Sequence, residues 1–281
     1  VIAYFATKNA ILLDFQFIRP LGNIHLFYIG SCESTQQAIV QLIEQGAMGM
    51  GKRGLPLAVF SDEQKNGRGQ QGKNWISDTA KNIMCTVGLP LDERQNIEIV
   101  SMNKALSVSI LQSLKEFVQE PIFLKWPNDI VTQSHKLGGL LMEIVQIEKR
   151  KFLLLGIGIN VNQTSWNGEP KATSLSKING YSLEISAVMN AVLLAVDEVW
   201  KNDVDYQKEY RESLWNLGQQ VVLDVQSPTH LNASVVTENG NAPQKEMTGL
   251  LQDVDPDGRI VIVQENGTRL GFHHGQVRLR F

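Results

Sequence analysis

The stretch QKNGRGQQGKNW, residues 64–75, decides the fold through the reading of its three glycines. Gly67, Gly69 and Gly72 spell G-x-G-x-x-G, the spacing of a dinucleotide-binding turn. That turn needs a strand running straight into the first glycine and a helix opening directly after the third. Here Gly67 lies six positions beyond Ser61, where the preceding strand pattern ends, and KNWISD after Gly72 has no helical period. A doubly wound nucleotide fold is therefore not expected. What remains is a loop carrying Lys65, Arg68 and Lys73, with no acidic residue from Gln64 through Ser77. Glycines let backbone N–H groups approach a ligand closely. A guanidinium can pair bidentately with phosphate or carboxylate oxygens. Two readings stand: a solvated basic surface loop, or an anion-binding loop locked by the large ring of Trp75.

Three further clusters lie downstream. FLKWPNDIV sets Lys125 and Trp126 at a strand end, where Pro127 breaks the ladder and Asn128 and Asp129 follow as turn formers. Asp129 suits a tight turn, and equally a hydrated Mg²⁺ or a lysine to be held in place. HKLGGLLMEI puts Lys136 before Gly138-Gly139, either as a solvated turn residue or as a fixed cation for a developing anion. In LLLGIGINVN, Gly156 and Gly158 alternate on one face of an apolar strand that ends at Asn160. Two glycines so placed imply that a backbone, a subunit or a ligand packs flat against the strand.

Around these clusters, alternation and β-branched content predict strands near Ile24–Ile29, Leu57–Ser61, Asn82–Leu89, Ile122–Trp126, Leu140–Ile147 and Phe152–Asn160. A helix opens at Ser34, with Gln37 completing a capping-box pattern, and stops at Gly46. Further helices are expected over Ile97–Val118, Ile185–Trp200 and Tyr206–Trp215. After Gly218 the texture changes to short strands, among them ASVVT, separated by Asn239-Gly240, Asp255-Pro256-Asp257-Gly258 and Asn266-Gly267. This spacing suggests a small β-barrel over 218–281, behind a domain of residues 1–217.

Composition narrows the function classes. A chain of 281 residues suggests about two domains. Its net charge of −3 argues against a global polycation for duplex nucleic acid, and 43% hydrophobic residues argue against disorder. Cys32 and Cys85 are the only cysteines, so no disulfide framework is expected. They show no metal-ligand spacing, and no nucleophile-elbow motif is present, which points away from a covalent enzyme intermediate. His273 and His274 read as structural or surface residues. No apolar run approaches the roughly 18 residues of a bilayer span, and the first segment lacks a basic head, so the cytoplasm is expected.

The order ST, QxxGRGxxGxxW, KWPND, KLGG, GIGIN and a terminal GQVRLR resembles the biotin–protein ligases, over about residues 24–281. The resemblance implies an α+β fold, a central mixed β-sheet flanked by helices with the small C-terminal barrel. It implies an ATP- and Mg²⁺-dependent enzyme that converts biotin to biotinyl-5′-AMP. That acyl group then passes to a lysine of a biotin carboxyl carrier domain. The biotin side of the site would comprise Ser34, Thr35, Gln36, Gln64, Arg68, Gly69, Gln70, Lys136 and Gly156. The ATP and phosphate side would comprise Gly67, Arg68, Gly69, Gly72, Trp75, Asn128, Asp129, Lys136 and Asn160. Arg68 and Lys136 would be catalytic, and no protein metal ligand is implied. A homodimer is a further implication.

Two alternatives share the architecture. One is a lipoate or octanoate ligase, against which GRGxxGxxW with KWPND and the barrel argue. The other is a biotin-sensing transcriptional regulator. Only 23 residues precede the first expected strand, with Lys8 and Arg19 their only basic residues and no helix–turn–helix period, so no nucleic-acid partner is expected. One departure stands out: many family members read GRGRRG, where this chain has Gln70 and Gln71. The loop thereby loses two guanidiniums but keeps amide donors, and a looser hold on the adenylate would let the activated acyl group reach nearby lysines.

Overall fold

The computed structural model describes residues 2–3, 13–47, 54–91, 98–147, 149–166, 171–202, 205–226 and 246–281. The expected strand ASVVT, the Asn239-Gly240 turn and the expected helix start at Ile97 lie outside them. In chain order the elements are β1 (Ile2–Ala3), β2 (Gln16–Leu21), β3 (Ile24–Cys32), α1 (Thr35–Glu44), β4 (Leu57–Gln64), β5 (Ile83–Leu91) and α2 (Ile99–Lys115). Then come β6 (Phe123–Lys125), β7 (Asp129–Val131), β8 (Lys136–Ile147), β9 (Arg150–Ile159), α3 (Leu175–Asn179), α4 (Ile185–Lys201) and α5 (Gln207–Glu212). The chain closes with β10 (Gln220–Val225), β11 (Glu246–Val254), β12 (Ile260–Val263), β13 (Arg269–Phe272) and β14 (Val277–Leu279).

The first sheet runs β2-β3-β4-β5-β9-β8-β7-β6, with β1 paired to β8. It is mixed: β3 and β4 are parallel, while β5, β9 and β8 are antiparallel neighbours. Central β5 is buried along nearly its whole length because both sheet faces are covered, so it reads as a continuous apolar run. On one face α1 packs Ala38, Ile39 and Leu42 against Val59, Phe152 and Leu154. On the other, α2 and α4 enclose the larger core. Ser34 caps α1 by accepting from the Gln37 backbone N–H at 3.3 Å, and Gly46 leaves the helix at φ +81°.

The second sheet is antiparallel, in the order β13-β12-β11-β10-β14. Among the described residues its pairings do not join β13 to β14, and residues 227–245, where the ASVVT strand of the expected barrel falls, lie outside them. The larger core runs without a break from Leu124, Trp126, Leu214 and Trp215 into Val221, Leu251, Ile260 and Phe272 of this sheet.

Several elements differ from expectation. Strand β2 was not foreseen, because it is an edge strand whose Phe17 and Ile18 face solvent and spoil the alternation. It also places a strand ahead of Ile24. Strand β4 continues past Ser61 to Gln64, held by its parallel pairing of Ser31 with Glu63 and Cys32 with Gln64. Asp129 opens β7 instead of occupying a turn, and β8 begins at Lys136, not Leu140. The expected Ile122–Trp126 strand contracts to Phe123–Lys125, and the expected Tyr206–Trp215 helix to Gln207–Glu212.

Candidate active site

The Gly-rich loop folds back on itself. Trp75 N–H donates to Gly67 O at 2.9 Å and Gly69 N–H to Lys73 O at 2.7 Å. A Cβ on Gly67 would stand 2.5 Å from Trp75 O, so that glycine serves the fold of the loop. Gly72 takes φ +73° at the turn. The return brings the Trp75 ring down on the sheet, where a Cβ on Gly158 would lie 2.7 Å from it. A Cβ on Gly156 would lie 3.2 Å from Gln36 Nε2. The two strand glycines thus admit an aromatic ring and an amide, the flat packing their spacing implied.

A cavity of about 690 Å³ opens over this floor. Ser34, Thr35, Gln36, Gln64, Arg68, Gly69, Gln70, Trp75, Asn128, Asp129, Lys136, Gly156 and Asn160 all line it. Gly67 and Gly72 do not; Gly72 lines an adjoining cavity of about 580 Å³.

At the α1 end, Gln64 Oε1 accepts from Thr35 N–H at 2.7 Å and from Thr35 Oγ1 at 3.0 Å. Thr35 Oγ1 lies 2.8 Å from Thr86 Oγ1, and Gln36 Nε2 donates to Leu141 O at 3.2 Å. Three buried polar atoms of the wall have no partner among the described residues: Gln36 Oε1, Trp75 Nε1 and Asn160 Oδ1. The other side of Asn160 is anchored, since its Nδ2 donates to Thr173 O at 2.9 Å. Unsatisfied buried groups of this kind are normally completed by water or ligand.

At the opposite end, Lys136 Nζ stands 2.6 Å from Asp129 Oδ1 and 5.9 Å from the Trp75 ring centre. The β7–β8 register sets Gly139 opposite Asp129. A Cβ there would lie 3.3 Å from Asp129 Oδ1 and 3.5 Å from Lys136 Nζ, so glycine keeps room for the pair. Asn128 Nδ2 donates to Leu140 O, which fixes the turn after the cis Trp126–Pro127 bond.

Sequence reading missed the contribution of the second sheet. His274, Val277, Arg278, Leu279 and Phe281 form one wall of the cavity. His273 and His274 are both exposed side chains, but His274 also lines the cavity, its ring edge-on to Trp126 at 6.1 Å, and partial desolvation there pushes its pKa down. Buried Lys125 donates from Nζ to Leu279 O at 2.9 Å, with the Phe281 ring 4.2 Å away. Burial first, and then the charges of Arg278, Lys136 and Lys73, push its pKa down to about 8, against the pull of Asp129. The signal available in the sequence was the basic and aromatic ending VRLRF.

The electrostatics are one-sided. Arg68, Lys73, Lys125, Lys136, Lys171 and Arg278 line the cavity, and Asp129 is the single acidic residue among its described lining residues. Among the described residues no group of three or more His, Cys, Asp or Glu could hold a metal ion. A Mg²⁺ that brings its own phosphate oxygens needs only one or two carboxylates, and Asp129 fits that requirement. No described helix is long and apolar enough to cross a membrane.

Comparison with known proteins agrees with this geometry. Residues 31–162 match the Biotin/lipoate A/B protein ligase family. The chain is 24% identical over 213 residues to the biotin--[acetyl-CoA-carboxylase] ligase of Mycobacterium tuberculosis, covering 73% of each protein. It is 28% identical over 200 residues to the bifunctional ligase/repressor BirA of Bacillus subtilis, covering 68% of this chain and 58% of that one. The solved biotin protein ligase of Aquifex aeolicus, in complex with biotin and ATP, matches with a TM-score of 0.68 at 25% identity. That match covers 91% of this chain and 98% of the other.

Proposed function

We infer that the chain belongs to the biotin–protein ligases and is an enzyme that activates biotin with ATP and transfers it to a carboxylase. The single observation that supports this best is the polarity of the cavity. An apolar, glycine-floored end that carries the orphan Gln36 amide oxygen passes directly into a rim of cations. The first end suits the fused rings and ureido group of biotin. The second suits a nucleotide's phosphates.

The chemistry requires both ends. A carboxylate is a poor acyl donor, and its attack on a phosphate brings two anions together. Arg68 and Lys136 offset that charge, preorganised for the transition state. Asp129 holds the Lys136 ammonium in place, and Arg68 rides on the Gly-rich loop. Gln36 Oε1 accepts from a ureido N–H, while Ser34, Thr35, Gln64, Gly69, Gln70 and Gly156 complete the biotin end. Trp75, Asn128 and Asn160 face the nucleotide. Held by Asp129 and nucleotide oxygens, Mg²⁺ would supply further neutralisation of phosphate charge. The attacking lysine resides on the carrier domain, which agrees with the absence of a nucleophile motif here.

The test is ATP–pyrophosphate exchange dependent on added biotin, followed by transfer of labelled biotin to an unmodified carrier domain. Lipoate in place of biotin separates the two substrate classes of the family. Exchange with lipoate alone would reject the biotin reading.

A further inference from the structure

The smaller cavity shares its wall with the larger one: loop residues 68–70 and 73–74, together with Leu141 and His274, border both. Strand β8 carries Leu141 and, two positions on, Glu143 on the same sheet face. Glu143 lines only the smaller cavity. Its Oε2 is buried and makes no hydrogen bond, and no described residue forms an ion pair with it. The charged and titratable groups that face it across this cavity are Arg68, Lys73 and His274. A carboxylate oxygen left without a partner beside an open cavity awaits a donor from outside the chain.

The second half-reaction brings such a donor. The acceptor lysine arrives as an ammonium at neutral pH. It meets a main cavity whose described lining carries six cations and one carboxylate, and that carboxylate is held by Lys136. Among the described residues, Glu143 is the one other acidic residue in either lining. We propose that the smaller cavity admits the acceptor lysine and that Glu143 takes its proton. This rests on the ligase reading above and extends it to the transfer step. The Glu143 carboxylate removes one proton from the ε-ammonium. The freed lone pair forms the C–N bond to the acyl carbon, and the acyl C–O bond to phosphate breaks with its electron pair leaving on AMP. The second nitrogen-bound proton passes to solvent.

The variant is Glu143→Gln, which keeps the side chain's size. Enzyme carrying preformed adenylate is mixed with a purified apo carrier domain, and single-turnover transfer is followed from pH 6 to pH 10. Loss of a general base costs about 100-fold at pH 7. The rate of the variant climbs with pH toward wild type as bulk solvent deprotonates the lysine. Biotin-dependent pyrophosphate exchange stays within about twofold of wild type, since the first half-reaction has no lysine to deprotonate. Hydroxylamine, an amine neutral at pH 7, discharges both adenylates at equal rates. Transfer at the wild-type rate, or a loss that is flat with pH and matched in exchange, overturns the proposal while leaving the ligase reading intact. A wild-type enzyme with no exchange overturns both.

Discussion

Lys136 Nζ and Asp129 Oδ1 lie 2.6 Å apart, seven positions distant in sequence and brought together by the β7–β8 ladder. Both side chains are partly exposed, at 37% and 26%, so the pair adds little to stability. Its value is positional. Lys136→Ala removes a cation aimed at developing charge and should lower biotin-dependent pyrophosphate exchange by about 100- to 1000-fold. Asp129→Asn leaves the ammonium but frees it to wander, with a loss in kcat of up to about 100-fold. Unchanged exchange in Lys136→Ala would remove that residue from the mechanism.

Gly158 marks where the Trp75 ring meets the sheet. Gly158→Ala puts a methyl group 2.7 Å from that ring and must push the loop outward. The expected result is a KM for both substrates raised at least about tenfold, with a change in tryptophan fluorescence; a Cβ this close to a ring is overpacking, which costs about 1–3 kcal/mol. Unaltered fluorescence and KM would mean that the loop has another resting place.

Lys125 gives a pH signature. Its folded pKa, about 8, lies below the ordinary 10.5. Between those values the unfolded chain binds the proton and the folded chain does not, so stability rises with pH across that window. Below pH 8 the buried ammonium opposes folding to its full extent. Lys125→Met removes this titration. The wild-type Tm should therefore gain on that of the variant between pH 8 and pH 10, as read by scanning fluorimetry. A constant difference across the window would show that the lysine is not titrating there.

Gln70 lines both cavities, at the position where the family resemblance would place an arginine. Restoring the charge with a Gln70→Arg, Gln71→Arg double variant should tighten retention of the adenylate. Acylation of a bystander protein such as serum albumin, lacking the carrier fold, should then fall below the wild-type level. Equal labelling by the two enzymes would acquit the glutamines.

The sequence was legible where chemistry needs particular residues side by side. Thirteen of the fifteen residues expected at the site line the cavity. The two that do not, Gly67 and Gly72, show how one pattern serves two ends: a Gly-rich loop needs glycines for its own turn as well as for its ligand. The parts that escaped reading depend on contacts between distant segments. His274, between β13 and β14, and Arg278, in the short β14, have a local pattern that gives no sign of the first sheet they lean on. Strand β2 hid for a related reason, because an edge strand with apolar residues turned outward carries no clean alternation.

The uninterrupted core between the two sheets bears on cooperativity. Trp126 and Trp215 belong to the same packed cluster as Leu251 and Phe272, and Trp126 Nε1 donates to Gly258 O at 3.0 Å. Heat cannot melt the C-terminal sheet without uncovering the floor beneath the KWPND turn. Calorimetry should register one endotherm, with loss of nucleotide binding at the same temperature. The boundary expected near Leu217 is then no thermodynamic one, and any strain that loosens the small sheet is felt at once where the phosphates would lie.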